Sequence, residues 1–280
     1  MPRCRPSADC RFCPDSIKAG AKLLAQNLYS YYKGDQPGQT PGILPGPPGS
    51  KNDEDGLLYY WWEAGAMWGT LIDYWRYTGD TTYNDEIQRS LLFQANPPHN
   101  NFQPPNYTIS LGNDDQGFWG MAVMLAAESN FQNPPPSDAQ WLALAQGVWN
   151  IQSSRWETAD CNGGLRWQVP PTNRGYDYKN SISNGILFNM AARLARYTGN
   201  ATYSHWAEKT WLWLKGVGYV VDGNVWDGGH IGLNCTDINK AQFSYNPAIM
   251  IQGLAFMYNN VSNNSGAKPV GCWTAADLDY

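Results

Sequence analysis

Two adjacent acidic side chains, Asp114 and Asp115, stand out in the segment SLGNDDQGFWGMAVMLAAE, residues 110–128, because a long apolar run follows them directly. The run predicts a helix that begins here, with Asn113 as its N-cap. Acids in a first helical turn interact favourably with the helix dipole by about 0.3–1 kcal/mol each, so a structural role is one explanation. Neighbouring helical positions diverge by only about 100°, however, so both carboxylates can also face one pocket.

A pocket with two carboxyl groups can cleave a glycosidic bond. One carboxyl protonates the leaving oxygen, while the other attacks the anomeric carbon or activates water. Carboxyls on consecutive residues would lie on the order of 5–6 Å apart, which fits retaining enzymes (about 5–5.5 Å) better than inverting ones (about 6.5–9.5 Å). Mutual repulsion should raise one pKa while the helix N-terminus lowers the other, which would separate acid from nucleophile.

Composition narrows the class of protein. The 280 residues are 42% hydrophobic, which is enough for a substantial buried core. A formal net charge of -5, with no long cluster among the 19 Lys and Arg residues, argues against a nucleic-acid partner. No apolar stretch approaches the roughly 20 residues of a transmembrane helix. We expect a monomer with no transmembrane segment in this chain.

Aromatic residues are unusually frequent. The 14 Trp and 17 Tyr outnumber the 8 Phe, so most aromatic rings carry a polar group that suits a half-wet surface. Such rings form platforms in sugar-binding clefts, although they also fill protein cores.

The glycosylation acceptors indicate a secreted protein. Five N-x-S/T sequons occur, at Asn106, Asn200, Asn234, Asn260 and Asn263. The first residues, MPRCRPSADCRFCPDS, contain no apolar segment of the 7–15 residues that a signal peptide needs. We therefore expect that the true first segment is missing or altered.

Six cysteines form an even set that is compatible with disulfides. Their pairing cannot be read from the sequence, but we favour a bridge between Cys161 and Cys235. The cluster of Cys4, Cys10 and Cys13 has no second ligand pair at zinc-finger spacing, and the three His residues show no metal spacing either. We expect no metal and no cofactor.

The elements that must position the acids are helical hairpins. The segment GAMWGTLIDYWRYTGDTTY, residues 65–83, matches NGILFNMAARLARYTGNATY, residues 184–203, in spacing. In each copy a helix ends at a glycine, Gly79 or Gly199, and the following Asp80 or Asn200 is expected to cap the next helix. Helix starts are predicted near residues 62, 115, 183 and 245. An earlier helix over about 15–33 carries an apolar stripe that includes Ile17, Leu23, Leu24, Leu28 and Tyr31.

These intervals favour an all-α toroid, in which inner helices line a funnel and outer helices surround it. We divide the chain into an atypical segment 1–14, a toroid domain 15–262 with an inserted loop 48–58, and an irregular tail 263–280. Functional groups are expected at the ends of the inner helices and in the adjoining loops.

The motifs resemble glycoside hydrolase family 76, the endo-α-1,6-mannanases, and most closely its fungal cell-wall branch. The resemblance runs from about Asp15 to Asn260 through SYYKGDQPGQTPGILPGP, YYWWEAGAMWG, LGNDDQGFWGMA, CNGGLRWQ, YKNSISNG and RLARYTGN. It implies an (α/α)6 toroid with Asp114 as the nucleophile and Asp115 as the general acid/base. It also implies cleavage or transfer of α-1,6-linked mannose chains, on mannan or on the glycan of GPI proteins, outside the cell or in its wall.

Other candidate residues lie near the pair or at matching ends of the repeat, where they could bind sugar hydroxyls or rings. They are Trp62, Glu63, Asn113, Gln116, Trp119, Arg166, Trp167, Tyr178, Lys179, Asn180, Tyr245 and Asn246. For Trp61, Trp62 and Glu63, a core or capping role is an equal alternative.

Three departures from the family pattern are visible. The segment PGSKNDEDGLL intervenes before YYWWEAG, the start lacks a secretory leader, and the end lacks a GPI attachment signal after roughly four hairpins of six. We expect an incomplete toroid with part of the cleft wall absent and apolar helix faces exposed.

Two other functions fit an aromatic-lined toroid. A terpene cyclase would need a D-D-x-x-D or D-x-D-D arrangement, which NDDQG does not supply. A glycan-binding toroid without catalysis, or an inactive truncated family member, would use the same tryptophans to hold sugar without cleaving it.

Overall fold

The computed structural model describes residues 14–47 and 58–263. Its helices are α1 (Pro14–Ser30), α2 (Trp61–Thr78), α3 (Asn84–Gln94), α4 (Pro105–Thr108), α5 (Asn113–Glu128), α6 (Trp141–Ser154), α7 (Ser181–Thr198), α8 (Ala201–Gly216) and α9 (Tyr245–Asn263). The short strands are β1 (Tyr178–Asn180), β2 (Val220–Val221), β3 (Asn224–Val225) and β4 (Gly228–His230), and a 3-10 turn spans Ile231–Leu233. The amino-terminal cysteine cluster, most of the inserted loop and the tail after residue 263 lie outside the described residues.

Four inner helices pack side by side in chain order. Helix α2 packs on α5, α5 on α7, and α7 on α9. Outer helices cover them, because α1 and α3 pack on α2, α6 packs on α5 and α7, and α8 packs on α7. The prediction of an all-α fold built from helical hairpins is confirmed. The inner helices begin at Trp61, Asn113, Ser181 and Tyr245, within two residues of the predicted starts.

Glycines allow the inner helices to approach each other closely. A Cβ on Gly117 of α5 would lie 2.5 Å from Ile186 of α7, and a Cβ on Gly65 of α2 would lie 3.0 Å from the ring of Trp119. Both neighbours are fully buried, so neither has room to move away. The apolar run after the acid pair therefore forms a helix that is surrounded by other helices and has no solvent-exposed face.

The two repeat copies end alike but continue differently. Gly79 and Gly199 both adopt the left-handed conformation, with φ of 78° and 70°. Asn200 then caps α8 by accepting a hydrogen bond from Thr202 N at 2.9 Å. Asp80 likewise accepts from Thr82 N at 3.0 Å, but α3 begins only at Asn84, so the prediction that Asp80 caps α3 is wrong. Its hydrogen bonds instead stabilise an intervening turn.

The predicted apolar stripe of α1 is only partly buried. Ile17, Leu23, Leu24 and Tyr31 are exposed, whereas Leu28 packs against the core. The buried face instead combines Leu28 with two small side chains, since Ala25 is buried and Ala21 packs against the core. The helix packs mainly on α2, and so one narrow face is covered while the rest stays in solvent.

Two long loops meet above the amino-terminal ends of the inner helices. Strand β1 pairs antiparallel with β4, and Ser181 N of α7 donates to Asp227 O at 2.7 Å. A disulfide joins Cys161 and Cys235, whose Cα atoms lie 5.6 Å apart across 74 residues of sequence. These loops thereby form a fixed rim around the start of α5 and α7.

Candidate active site

A cavity of about 550 Å³ opens at the amino-terminal ends of the inner helices, and both aspartates of the pair line it. Aromatic side chains from separate segments form most of its wall. They are Tyr60, Trp61, Trp62, Tyr107, Phe118, Trp167 and Tyr245. Of the residues proposed from the sequence, Asp114, Asp115, Trp62, Trp167 and Tyr245 thus meet at one cavity.

Gly112 lets the two carboxyls share this position. It is the residue before α5, with extended backbone, and Asn113 is the first helical residue, so the prediction that Asn113 is the N-cap is wrong. Gly112 N donates to Asp115 Oδ2 at 2.8 Å, and Asp115 N donates to Asp114 Oδ1 at 2.9 Å. A Cβ on Gly112 would overlap Asp114 Oδ1 and lie 2.7 Å from Asp115 Oδ2. Only glycine leaves room for both oxygens.

Asn180 links the acid pair to α7. Its Oδ1 accepts from Ser183 N at 3.2 Å and so caps that helix, while its Nδ2 lies 3.4 Å from Asp114 Oδ2 as a donor. The Asn180 side chain is buried, which fixes its position beside the carboxyl. Asp114 therefore accepts two hydrogen bonds that favour its ionised form, and Asp115 accepts one.

Both carboxyls hold their protons more tightly than an exposed aspartate does. Burial, followed by the charge of Asp115, raises the pKa of Asp114 well above its usual value. Burial raises the pKa of Asp115 to about 6, although the hydrogen bond from Gly112 N acts in the opposite direction. The prediction that the helix N-terminus would lower one pKa is therefore wrong, because desolvation outweighs it. The two protons belong to the pair and not to either carboxyl alone.

The aromatic wall is built from stacked rings. The Trp62 ring packs on Phe118 with centroids 4.5 Å apart, and the Trp61 ring stacks on Tyr107 at 5.2 Å. Trp167 is 37% exposed, which leaves part of its indole free to contact a ligand. Ring faces of this kind pack against the apolar faces of sugars while their polar edges stay hydrated.

Several candidates from the sequence lie outside this cavity. Trp119 is fully buried between Trp61 and Phe102, and it belongs to the core. Glu63 accepts a hydrogen bond from Tyr60 N at 2.6 Å and caps α2. Asn246 is the second residue of α9, and its side chain is only 1% exposed. The sequence predicts that Trp119, Glu63 and Asn246 bind the ligand, but none of the three lines the cavity.

The charged candidates of the rim are engaged with each other. Lys179 is fully buried, donates to Gly163 O at 2.7 Å and pairs with Glu157 at 3.2 Å. Arg166 pairs with Glu157 at 2.9 Å and covers the Tyr176 ring. These side chains hold the 155–180 loop together and do not line the cavity.

Tyr178 has a similar supporting position, because its hydroxyl donates to Asp227 at 2.8 Å. Asn113 and Gln116, two further sequence candidates, are buried behind the acid pair. All three therefore support the site from outside the cavity.

Sequence reasoning missed Tyr107, Ser110 and Gln168 as cavity residues. Tyr107 lies on the short helix α4, which carries no periodic pattern, and Gln168 reaches the site through a bridge to Gly112. The YTIS segment precedes the LGNDDQGFWGMA motif and RWQ ends the CNGGLRWQ motif, but only the tertiary pairing of loops brings them together.

Three of the predicted glycosylation acceptors, Asn106, Asn200 and Asn234, are exposed. The side chains of Asn260 and Asn263 at the end of α9 lie outside the description. Over residues 14–47 and 58–263, no group of His, Cys, Asp or Glu side chains is arranged to hold a metal, and no helix there is long and apolar enough to cross a membrane.

Comparison with known proteins identifies the family. The model of glycosyl hydrolase family 76 matches residues 16–268. The chain belongs to this family. Its helical hairpins are accordingly those of the α/α toroid that family 76 structures share, which confirms the predicted fold class.

Similar proteins are longer than this chain. Mannan endo-1,6-alpha-mannosidase DCW1 from Eremothecium gossypii is 51% identical over 253 residues, which cover 89% of this chain and 53% of that protein. The chain thus spans about half the length of the curated relatives it matches. The crystal structure of Dfg5 from Chaetomium thermophilum in complex with glucosamine is 52% identical with a TM-score of 0.87, covering 95% of this chain and 63% of that one.

A more distant member of the family shares the fold. It is an inactive variant of the α-1,6-mannanase GH76A of Salegentibacter in complex with α-1,6-mannotriose, in which two consecutive aspartates are replaced by asparagine. It is 21% identical with a TM-score of 0.66, and the match covers 88% of this chain and 65% of that one.

Proposed function

We propose that the chain acts as a retaining, endo-acting glycoside hydrolase or transglycosylase on α-1,6-linked mannan. The observation that carries the proposal is the convergence of Asp114 and Asp115 in one aromatic-walled cavity. Adjacent carboxyls are too close to hold a water molecule between acid and base as inverting enzymes do, and so they favour a covalent route. The names of the fungal relatives supply the linkage and the sugar.

In the proposed first step, protonated Asp115 donates its proton to the glycosidic oxygen while the Asp114 carboxylate bonds to the anomeric carbon. The bond to the leaving sugar breaks, and that sugar departs as an alcohol. Asp114 accepts two hydrogen bonds that favour its ionised form, but burial and the charge of Asp115 raise its pKa well above the usual value. Its assignment as the nucleophile therefore rests on the family resemblance and not on its pKa. In the second step Asp115 takes a proton from water or a sugar hydroxyl, whose oxygen displaces Asp114 from the anomeric carbon.

We place this activity outside the cell, at the fungal wall or the outer face of the plasma membrane. The exposed sequon residues and the disulfide support an oxidising, glycosylating route. The substrate would be mannan or the mannose chain of a GPI glycan, bound by a monomer.

An NMR time course tests the proposal. The chain is mixed with an α-1,6-mannan oligosaccharide, and the anomeric form of the newly released end is followed. A retaining enzyme first releases the α form, and Asp114→Asn and Asp115→Asn should each lose at least about 10³-fold in rate. Asp73→Asn is a matched control, since Asp73 is a partly buried aspartate of α2 outside the cavity whose pKa burial also raises.

The alternative results separate the rival functions. Early β product contradicts the nucleophile assignment. Oligosaccharide binding without turnover by the folded wild-type chain contradicts hydrolysis and supports a glycan-binding toroid. Full activity in the Asp114→Asn and Asp115→Asn variants contradicts catalysis by the pair.

A further inference from the structure

A partly buried arginine lies directly behind the acid pair. Arg155 follows the last turn of α6, and its Nη1 donates to Asn113 Oδ1 at 2.6 Å and to Gln116 Oε1 at 2.8 Å. These two acceptors are the residues on either side of Asp114 and Asp115 in the chain. One guanidinium nitrogen thus binds both ends of the four-residue segment that carries the chemistry.

The charge of Arg155 needs an explanation. Within the part of the chain that the structure describes, no carboxylate lies within salt-bridge distance of it, and its side-chain contacts there are amide oxygens. Burial lowers the pKa of Arg155 to about 10, so it remains charged at neutral pH. Partial burial disfavours the charge of Arg155, and the positive pole of helix α5, which lies beside it, acts in the same direction. The Asn113 and Gln116 side-chain oxygens are therefore the contacts that hold the guanidinium in place.

The partners of Arg155 are fixed at their other ends. Asn113 Nδ2 donates to Arg166 O at 2.9 Å, and Gln116 Nε2 donates to Asn101 O at 2.6 Å. Both amide nitrogens are therefore occupied as donors, and both amide oxygens need a donor from another group. The Arg155 guanidinium only donates hydrogen bonds, so it can bind both amide oxygens and does not compete for the amide hydrogens.

A third amide strengthens the same turn. Gln152, one helical turn before Arg155, donates through Nε2 to Asn113 O at 2.6 Å and is fully buried. The first turn of α5 is thus tied to the end of α6 through both the backbone and the side chain of Asn113. Movement of this turn would displace both carboxyls together, because Asp115 N and Gly112 N bind them to the same backbone.

We propose that Arg155 is a positioning residue for the acid pair: it holds Asn113 and Gln116 so that the Asp114 and Asp115 carboxyls keep their reactive placement. The inference rests on the proposed function, since it assigns Arg155 a part in the same reaction. It also explains why Asn113 and Gln116 are buried behind the cavity and do not line it.

Enzyme kinetics test the role. Replacing Arg155 with Met leaves both amide oxygens without their donor, and a misplacement of about 1 Å can cost 10²-fold in rate. We expect Arg155→Met to lower kcat about 100-fold with KM within about threefold of wild type. Arg155→Lys keeps the charge with a single ammonium, and we expect its kcat to fall only about fivefold to tenfold. Arg174→Met is the matched control, because Arg174 is exposed on the 170–176 loop, and it should keep wild-type kcat and KM.

Titration of the pair gives a readout that does not depend on turnover. The 13C shifts of the aspartate carboxyls report the protonation of Asp114 and Asp115, whose other described neighbours are the Asn180 amide and the Tyr245 hydroxyl. Arg155→Met should loosen the turn and weaken the hydrogen bonds from Gly112 N, Asp115 N and Asn180 that lower these pKa values, so we expect the titration of the pair to shift upward by at least half a pH unit. Arg155→Lys should restore most of the shift, and Arg174→Met should leave the titration unchanged.

The outcomes distinguish the two claims. A wild-type chain without turnover overturns the proposed function, and the carboxyl titration then decides the role of Arg155 alone. An active wild type with kcat unchanged in Arg155→Met, or an unshifted titration in that variant, overturns the inference. If Arg155→Met does not fold, the Lys variant decides it, because wild-type kcat in Arg155→Lys contradicts positioning by the guanidinium.

Discussion

At the scale of single residues, desolvation controls the chemistry of the acid pair. Asp114 and Asp115 sit at a helix N-terminus, where ionised acids are normally favoured, yet burial raises the pKa of both. Because the two carboxyls repel each other when ionised, the pair loses its protons in two separated steps. Between those steps it holds one nucleophile and one acid, which is the state that retaining cleavage requires.

This state predicts a bell-shaped pH dependence of kcat/KM. Below the lower pKa both carboxyls are protonated and no nucleophile is present, and above the higher pKa both are ionised and no acid is present. Because burial raises the pKa of both carboxyls, and that of Asp115 to about 6, the lower apparent pKa of the pair should place the acidic limb near pH 6, well above that of an ordinary aspartate. Initial rates on an α-1,6-mannan oligosaccharide from pH 4 to 9 measure it. An acidic limb near pH 4 would contradict strong desolvation of the pair.

The sequence could predict Asp114 and Asp115 as candidate residues, and both line the cavity, but it could not predict the direction in which each aromatic side chain points. Phe118 and Trp119 are neighbours on α5, yet Phe118 lines the cavity while Trp119 is buried against Trp61. Helical spacing places each of them one turn after an aspartate, so spacing alone favours both. The difference arises from α2, whose Gly65 opens a space that the Trp119 ring fills.

At the scale of elements, the acid pair keeps its place because α5 is surrounded by other helices. The sequence predicts the inner helices because each has a start signal followed by an apolar run. The face that α1 buries could not be predicted, because that depends on which neighbours cover the helix. The rim strands β1 and β4 were also missed, because they are short and pair only through loops distant in sequence.

Close packing of α5 on α7 predicts a large effect of one methyl group. Gly117→Ala would place its Cβ 2.5 Å from buried Ile186, and overpacking of this kind costs about 1–3 kcal/mol. We expect a melting temperature lower by several degrees and reduced activity. Gly69→Ala is the matched control, since the nearest atoms of another residue lie at 3.7 Å and alanine favours a helix. Thermal melts of both variants measure the difference, and equal melting temperatures would contradict tight α5–α7 packing.

At the scale of the whole molecule, the buried acids make the stability of the fold depend on pH. A carboxyl whose pKa is higher in the folded than in the unfolded state keeps its proton on folding. Stability then falls as pH rises from the unfolded pKa to the folded one. For Asp115 this window runs from about 4 to about 6. Asp115 is therefore destabilising at neutral pH, as expected if the proposed catalysis needs desolvated charge.

Asp115→Asn should therefore increase the free energy of unfolding, but only above about pH 4. The asparagine oxygen can still accept the hydrogen bond from Gly112 N, so the variant keeps the capping contact and loses the desolvated charge. We expect a melting temperature higher by a few degrees at pH 7 and equal to that of wild type below pH 4, because there the wild-type carboxyl is protonated in both states. Thermal melts at pH 3.5, 5 and 7 measure the trend.

Asp80 provides a control of opposite sign. Hydrogen bonds from Thr82 and Tyr74 lower its pKa to about 2, so this carboxylate stabilises the folded state above the unfolded pKa, and that stability is lost as pH falls through about 2. Asp80→Asn should therefore lower the melting temperature at pH 7, by less than Asp115→Asn raises it, because Asp80 is more hydrated. If both variants changed stability in the same direction at pH 7, general effects of charge removal would explain the result better than desolvation of the acid pair. Opposite signs would show that one fold stabilises a surface aspartate and destabilises a cavity aspartate through their surroundings alone.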